Sequence, residues 1–152
     1  MKTVSDIIAS KPRPENIIEP SKLVIEALQL MDHVNMSYVI VMDRDEYKGI
    51  FSERDYSRNV ALKGKSSSTA TVQEVMNTEL PRVEIGDSVE HCMGLMARFS
   101  VRYLVAFEDN KFAGIITIHD LLRLVLANRS DVFEPSLTQQ LVDTAESGGK
   151  IY

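Results

Sequence analysis

Cysteine is nearly absent from this sequence, with Cys92 the single example among 152 residues. One thiol excludes an intrachain disulfide and a metal site built from cysteine pairs. Cys92 shares helical spacing with the apolar residues Val89, Met93 and Met96. We therefore expect a buried structural thiol at this position rather than a nucleophile.

Long apolar runs and clusters of positive charge are missing as well. No stretch is apolar for long enough to cross a bilayer or to resemble a signal peptide, so we expect a cytoplasmic protein with no membrane partner. The net charge is -5 and the pI is about 5.2, without a basic run, which argues against a nucleic acid duplex as partner. A content of 44% hydrophobic and 26% charged residues is typical of a soluble globular domain.

What the sequence does contain is an internal repeat. When the chain is shifted by 65 residues, residues 17–58 align with residues 82–123 without a gap, and apolar positions match almost throughout. Identical residues coincide in this alignment, among them Gly49 with Gly114. Two copies of one supersecondary unit explain this pattern better than one continuous domain.

Each copy has the same predicted order of elements, β-α-β-β-α. A short extended segment precedes a helix with apolar residues at helical spacing, and two short strands and a second helix follow. The sequence thus predicts an α/β (α+β) fold, with residues 4–65 as the first copy and residues 66–128 as the second. A partly helical C-terminal tail is predicted for residues 129–152.

Two helix starts carry the spacing of a capping box. Asp87 and Glu90 have this spacing at the first helix of the second copy, and Thr71 precedes a glutamate by three residues at a short helix between the copies. Residues 4–8 resemble residues 72–76, which predicts a matching short helix before the first copy.

The sharpest local pattern is a hydroxyl residue at a strand end with an aspartate three residues later. It occurs as Ser52 and Asp55 in the first copy and as Thr117 and Asp120 in the second. The spacing is typical of a capping box, which is purely structural. A helix start also attracts phosphate, and an aspartate there can accept hydrogen bonds from the two hydroxyls of a ribose. The residues alone leave both interpretations open.

The two copies differ beside the aspartate. Arg54 precedes Asp55 and can pair with a phosphate. His119 occupies the corresponding position before Asp120. We therefore expect two sites that are not equivalent.

In combination, these features resemble the cystathionine-β-synthase (CBS) domain, and the tandem resembles a Bateman module. The resemblance extends from Val4 to about Val125. Within it, residues 49–58, Lys63-Gly-Lys-Ser-Ser and Val72-Gln-Glu-Val-Met76 are similar to small stand-alone bacterial or organellar proteins with two CBS domains. The resemblance implies two intertwined repeats packed as one pseudo-two-fold module, with two ligand clefts between them.

In such modules the resemblance implies an adenosine ligand between the copies, its ribose held by Asp55 or Asp120 with Ser52 or Thr117 nearby. Further residues are implied in contact with the base and the phosphate: main chain around Asn16 and Pro81, apolar side chains of Met36 and Val101, and the basic Arg102. The second copy departs from the family pattern at residues 101–106 and at His119, which favours the Asp55 cleft.

The function favoured by the sequence is that of a regulatory sensor that binds an adenine nucleotide and has no catalytic cofactor. The resemblance also implies a homodimer, and an unidentified regulated protein would read the bound state. One alternative is a ligand-free dimerisation or interaction module. A second alternative, a nucleotide hydrolase, lacks a recognisable set of base, nucleophile and metal ligands in the sequence.

Overall fold

The computed structural model describes residues 2–128. The predicted C-terminal tail, residues 129–152, lies outside the described residues. The elements follow in chain order: α1 (Val4–Ser10), β1 (Ile17–Ile18), α2 (Val24–Val34), β2 (Tyr38–Asp43), β3 (Glu46–Ser52), α3 (Glu53–Asp55), a π-helical turn (Tyr56–Ala61), α4 (Val72–Val75), β4 (Arg82–Glu84), α5 (Val89–Phe99), β5 (Tyr103–Glu108), β6 (Lys111–Thr117) and α6 (Ile118–Ala127).

The chain folds into two units that cross the boundaries of the sequence copies. The first unit is Pro14–Glu79, and the second unit combines residues 2–13 with residues 80–128. Helix α1 therefore packs with the second copy, against β6, and the short helix α4 packs with the first. Each unit therefore contains one short helix in addition to its β-α-β-β-α segment. In the first unit this helix is α4, which follows the segment, and in the second unit it is α1, which precedes the segment in the sequence.

Each unit contains one mixed three-stranded sheet, in the order β1-β2-β3 or β4-β5-β6. The central strand pairs in parallel with the first strand and antiparallel with the third. The register is the same in both sheets: Ile40 lies opposite Ile17 and Ile50, and Val105 lies opposite Arg82 and Ile115. Both third strands carry a register shift at the same place. The predicted repeat is thus confirmed at the level of individual strand pairs.

Left-handed backbone positions also repeat. Asn35 and Ser100, which end the first helix of each copy, have φ values of 57° and 53°. Arg44 and Asp109, in the turn between the two antiparallel strands, have φ values of 59° and 49°. A residue in this region reverses the chain direction abruptly, which ends the helix or closes the hairpin.

Burial of the central strand explains its uniformly apolar sequence. The first five residues of β2 are buried, as expected for a strand covered on both faces. Phe51 at 0% exposure packs with Val39 and Val41 in the first core, where each buried side chain of this size contributes roughly 1.5–3 kcal/mol. The second core includes Leu104, Ile116 and Cys92. The expected burial of the lone thiol is confirmed, and burial raises the pKa of Cys92 to about 11.

Two predicted caps need correction. Ser88 rather than Asp87 caps α5: its hydroxyl accepts a hydrogen bond from the backbone N–H of His91. Asp87 instead accepts a bond from the backbone N–H of Glu84, so the side chain is turned toward the preceding strand. Thr71 is the N-cap residue of α4, as expected, but its side chain makes no capping bond.

Another segment occupies the space of a side chain at the glycine three residues before each hydroxyl residue of the motif, Gly49 before Ser52 and Gly114 before Thr117. A Cβ atom on Gly49 would lie 2.7 Å from the carbonyl oxygen of Asn77, and one on Gly114 would lie 2.6 Å from Cδ1 of Ile8. Gly114 also has a φ of +158°. The segment that follows α4, with Met76 and Asn77, therefore packs on Gly49, and α1 packs on Gly114 through Ile8.

Within residues 2–128, no helix combines the length and the apolar character needed to cross a membrane.

We predict that Gly49→Ala lowers the free energy of unfolding by about 1–3 kcal/mol, because its methyl group collides with a backbone carbonyl that cannot rotate away. The matched control is Gly94→Ala on α5, where nothing lies within 4 Å, and which should raise stability by about 0.5–1 kcal/mol. Chemical denaturation measures both. Equal stability of Gly49→Ala and the unmodified chain would contradict this packing.

Candidate functional site

The first unit brings its predicted site residues to one end of its sheet. Tyr38, the first residue of β2, lies opposite Ser52, the last residue of β3. The side-chain amide of Asn16 donates to the carbonyl oxygen of Tyr38 at 3.0 Å. The backbone N–H of Glu53 donates to the carbonyl oxygen of Ser37, which fixes the start of α3 beside the residue that follows Met36. The same end of the sheet therefore carries Asn16, Met36, Ser52 and the helix that follows Ser52.

Ser52 and Asp55 form the capping box that the sequence predicts. One carboxylate oxygen of Asp55, Oδ2, accepts hydrogen bonds from the backbone N–H of Ser52 at 2.9 Å and from its hydroxyl at 2.8 Å. The Ser52 hydroxyl in turn accepts a bond from the backbone N–H of Asp55 at 3.2 Å. These bonds orient the carboxylate and leave its second oxygen, Oδ1, outside the box.

Burial dominates the electrostatics of Asp55. It raises the pKa of the carboxyl group above its ordinary value, against the opposing effects of the two Ser52 hydrogen bonds and of the Arg54 and Arg58 charges. Within Pro14–Glu79, no lysine or arginine nitrogen lies within salt-bridge distance of this carboxylate. Asp55 is therefore a partly desolvated acid that is oriented but not neutralised inside its own unit.

The second unit repeats the arrangement with a different outcome. The Asp120 Oδ2 atom accepts from the backbone N–H of Thr117 at 2.8 Å, and the Thr117 hydroxyl accepts from the N–H of Asp120 at 3.2 Å. Lys11 adds its ammonium group to the same carboxylate oxygen at 2.9 Å. The second oxygen, Oδ1, lies 3.6 Å from a guanidinium nitrogen of Arg123 but accepts no hydrogen bond among the described residues. Asp120 is buried, with a side-chain exposure of 1%, and it is paired.

The backbone carbonyl groups near the expected base position accept hydrogen bonds from the central strands of the sheets. The carbonyl oxygen of Asn16 accepts from the N–H of Ile40 at 2.7 Å, and that of Pro81 accepts from the N–H of Val105 at 3.1 Å. Asn16 is 1% exposed, and its side-chain oxygen has no hydrogen bond among the described residues. A buried acceptor of this kind is a cost that folded proteins tolerate mainly at functional positions.

The remaining predicted residues either follow the first helix of each copy or directly precede one of the two aspartates. Met36 and Val101 are half-buried and follow the left-handed residue that ends the first helix of each copy. Arg54 and Arg102 are exposed. Burial lowers the pKa of His119; the charge of Asp120 opposes this shift, and the charges of Arg102 and Arg123 reinforce it.

Sequence reasoning missed Lys11 and the π-helical turn. Lys11 lies in a segment with no counterpart in the aligned repeat, so neither spacing nor periodicity points to Asp120. After three α-helical residues, the helix that begins at Glu53 widens into the π-helical turn, whereas α6 stays regular for ten residues. Within residues 2–128, no group of three or more His, Cys, Asp or Glu side chains is placed to hold a metal ion.

We predict opposite effects of removing the two carboxylate charges. Because burial raises the pKa of Asp55, the folded state holds this proton to higher pH than the unfolded chain does, and its charge reduces stability as pH rises above 3.8. Asp55→Asn should therefore be at least as stable as the unmodified chain at neutral pH. Any gain in the free energy of unfolding should disappear as the pH falls toward 3.8.

Asp120→Asn is the matched comparison and should lose about 1.5–3 kcal/mol, because the Lys11 ammonium loses its charged acceptor. Denaturation curves at several pH values measure both variants. A larger loss for Asp55→Asn than for Asp120→Asn would contradict this assignment of charges.

Comparison with known proteins identifies the repeat. The CBS domain family model matches residues 4–61 and 72–127. The CBS domain-containing protein YhcV of Bacillus subtilis is 30% identical over 113 residues, which are 74% of this chain and 80% of that protein.

Solved structures agree with this match. A protein with CBS domains from Burkholderia ambifaria MC40-6 superimposes with a TM-score of 0.76 at 34% identity, covering 83% of this chain and 95% of its own. A hexameric CBS-CP12 protein from bloom-forming cyanobacteria has a TM-score of 0.66 at 26% identity, covering 80% of this chain and 68% of its own. Two repeats with the same strand register, each matched by the same family model, lead to one conclusion: this chain belongs to the CBS domain family and carries two CBS domains in tandem.

Proposed function

We propose that this chain is a regulatory module that binds an adenosine-containing nucleotide, such as AMP, ADP or ATP, with Asp55 as the acceptor for the ribose hydroxyls. The observation that supports this proposal is the state of the Asp55 carboxylate. It is held in one orientation by Ser52, its pKa is raised by burial, and no cation of its unit neutralises it. Acids with these properties occur preferentially at functional sites.

A ribose suits the atoms that Asp55 offers. The box occupies Oδ2 with two donors from Ser52, so Oδ1 is the oxygen available to a ligand. A carboxylate accepts short, strong hydrogen bonds from hydroxyl groups, and the neighbouring hydroxyls of a ribose supply two donors on one side of a ring. Because Asp55 is already oriented, binding costs little side-chain entropy.

The charges around Asp55 suit the phosphate of the same ligand. The positive charges of Arg54 and Arg58 oppose the rise that burial causes in the pKa of Asp55, so both guanidinium groups lie near its carboxylate. Both side chains are exposed. Guanidinium groups bind phosphate oxygens in a bidentate geometry. An acceptor for the sugar and donors for the phosphate therefore occur on one short segment, residues 52–58.

The adenine preference rests on the likeness to the CBS family and on the edge of the sheet near Asn16. The Asn16 side chain offers an acceptor without a hydrogen bond among the described residues, and the half-buried Met36 offers an apolar side chain just before β2. We propose no catalytic cofactor, since Ser52 and Asp55 bond to each other and to the backbone, an arrangement that positions an acceptor. A cytoplasmic location and a regulated protein partner stay predictions of the sequence.

We predict that a nucleotide present at one hundred times its Kd stabilises the chain by about 2.7 kcal/mol, visible as a shift of the unfolding temperature. AMP, ADP, ATP, NADH and S-adenosylmethionine form the panel. Asp55→Ala should abolish the shift, because it removes the ribose acceptor. Asp32→Ala, an exposed aspartate on α2 of the same unit, should keep it.

A shift of equal size in Asp55→Ala and in the unmodified chain would contradict the role of Asp55. The absence of a shift for every nucleotide would favour the alternative function, an interaction module without a small ligand.

We also propose that the chain forms a homodimer through the apolar side of α6. Leu122 and Val125 are 44% and 38% exposed and lie three residues apart, so they share one side of the helix. Exposed apolar side chains grouped on one helix side are a common feature of interfaces. The cyanobacterial relative described above is hexameric, and for that protein self-association is part of its structure.

For this reason Leu122→Glu should shift the chain from dimer to monomer at micromolar concentration, because a buried charge without a partner disfavours association. Ala127→Glu, exposed on the same helix and turned away from Leu122, is the matched control and should stay dimeric. Light scattering after size exclusion measures both masses. A monomeric unmodified chain would overturn the proposal.

A further inference from the structure

Asn16 has a buried side chain whose hydrogen-bonding capacity is not fully used inside the protein. The residue is 1% exposed and directly precedes β1. Its amide nitrogen, Nδ2, donates to the carbonyl oxygen of Tyr38 at 3.0 Å, and this bond fixes the amide because a carbonyl oxygen can only accept. Its oxygen, Oδ1, accepts no hydrogen bond among the described residues. Burial of such an oxygen costs free energy that an N–H donor from a ligand would recover.

The sheet does not require an amide at this position. Pro81, which has no polar side-chain atom, takes the corresponding place before β4. Both residues make the same main-chain bond to the central strand. The carbonyl oxygen of Asn16 accepts from the N–H of Ile40 at 2.7 Å, and that of Pro81 accepts from the N–H of Val105 at 3.1 Å. The repeat therefore explains the main chain of Asn16 but not its side-chain oxygen.

Asn16 lies at the end of the sheet that carries Asp55. Strand β1 begins after Asn16, β2 begins with Tyr38, and β3 ends with Ser52, the partner of Asp55 in the capping box. Because β2 lies between β1 and β3, the ends of the outer strands are separated by two strand spacings, roughly 10 Å. This separation is comparable to the span of a nucleoside from its ribose hydroxyls to the far edge of its base.

An amide oxygen selects for an N–H donor. Adenine has an exocyclic amino group at a ring position where hypoxanthine has an oxygen and unsubstituted purine has a hydrogen. An oxygen of the ligand facing Oδ1 of Asn16 would place two acceptors against each other. A hydrogen on carbon would leave Oδ1 buried without a donor. A site built to bond an N–H group therefore rejects analogues that lack this group.

We propose that Asn16 determines the base specificity of the nucleotide site, with Oδ1 as the acceptor for the exocyclic amino group of adenine. This inference rests on the proposed function, because it concerns the base of the nucleotide whose ribose Asp55 holds. It assigns the preference for adenine to one side chain of the first unit. Pro81 offers no such acceptor in the second unit.

Calorimetric titration with three nucleotides tests this role. The three are AMP, IMP, whose base is hypoxanthine, and purine riboside monophosphate, which has hydrogen in place of the amino group. For the unmodified chain, the Kd of each analogue should exceed that of AMP about tenfold or more, the effect of one lost hydrogen bond to a buried acceptor. Asn16→Pro introduces the residue of the second unit and removes Oδ1, so the three Kd values should become equal. ATP and its two analogues form a parallel series.

Asn59→Leu is the matched control. The amide of Asn59 also donates to a backbone carbonyl of the first unit, that of Val75 at 3.1 Å. Its removal should leave the ratio of the Kd values as in the unmodified chain. The ratio is the informative quantity because a purely structural effect of a substitution weakens the binding of all three nucleotides alike.

The outcomes separate this inference from the proposed function. Equal binding of AMP and either analogue by the unmodified chain would overturn the role of Asn16 and leave Asp55 as the ribose site. A ratio that persists in Asn16→Pro, or one that is lost in Asn59→Leu as well, would do the same. The absence of binding by every nucleotide of both series to the unmodified chain would overturn the inference together with the proposed function.

A second measurement uses the unmodified chain and does not depend on the folding of a variant. In the isotopically labelled chain, the NMR resonance of Cγ of Asn16 reports on its own carbonyl group, whose carbon moves downfield when the oxygen accepts a hydrogen bond. Saturation with AMP should move this resonance downfield, and saturation with purine riboside monophosphate should not. Equal movement with both nucleotides, or no movement with AMP, would overturn the proposal.

Discussion

A carboxylate removed from water at the start of a helix is the constraint on which this structure depends. It must receive hydrogen-bond donors or it destabilises the fold. In both units the backbone N–H of the residue that caps the helix donates to this carboxylate, from Ser52 to Asp55 and from Thr117 to Asp120. They differ in the charge beside the carboxylate. Lys11 pairs with Asp120, whereas no lysine or arginine of Pro14–Glu79 forms a salt bridge with Asp55. The two copies of the motif thus have different electrostatic environments.

Much of the scaffold follows from sequence because it depends on local chemistry and on repetition. The strands, their hairpins and the two capping boxes follow from apolar runs, turn residues and hydroxyl-to-aspartate spacing. The glycine of each motif was visible as an identity under the shift of 65 residues, but its reason was not. A Cβ at Gly49 would collide with the backbone carbonyl of Asn77, whereas Gly114 has a φ of +158° with the side chain of Ile8 against it.

Other features escape prediction because they depend on three-dimensional proximity. Lys11 and Asp120 are 109 positions apart in the sequence, and no local rule joins them. The units exchange their short helices relative to the sequence copies, which only the packing of α1 and α4 reveals. The choice of Ser88 over Asp87 as the cap of α5 depends on which side chain the preceding strand engages. Periodicity does not contain that information.

The proposed regulation requires a ligand that prefers one conformation over another, because a ligand with equal affinity for both conformations shifts neither. The proposed site for this ligand is the oriented carboxylate of Asp55. The most direct measurement is the backbone amide NMR spectrum of the labelled chain during addition of AMP and ATP. If Asp55 holds the ribose of the nucleotide, the amides of residues 52–58 should show saturable shifts. The absence of saturable shifts at these residues, or shifts confined to Thr117 and Asp120, would contradict the role of Asp55.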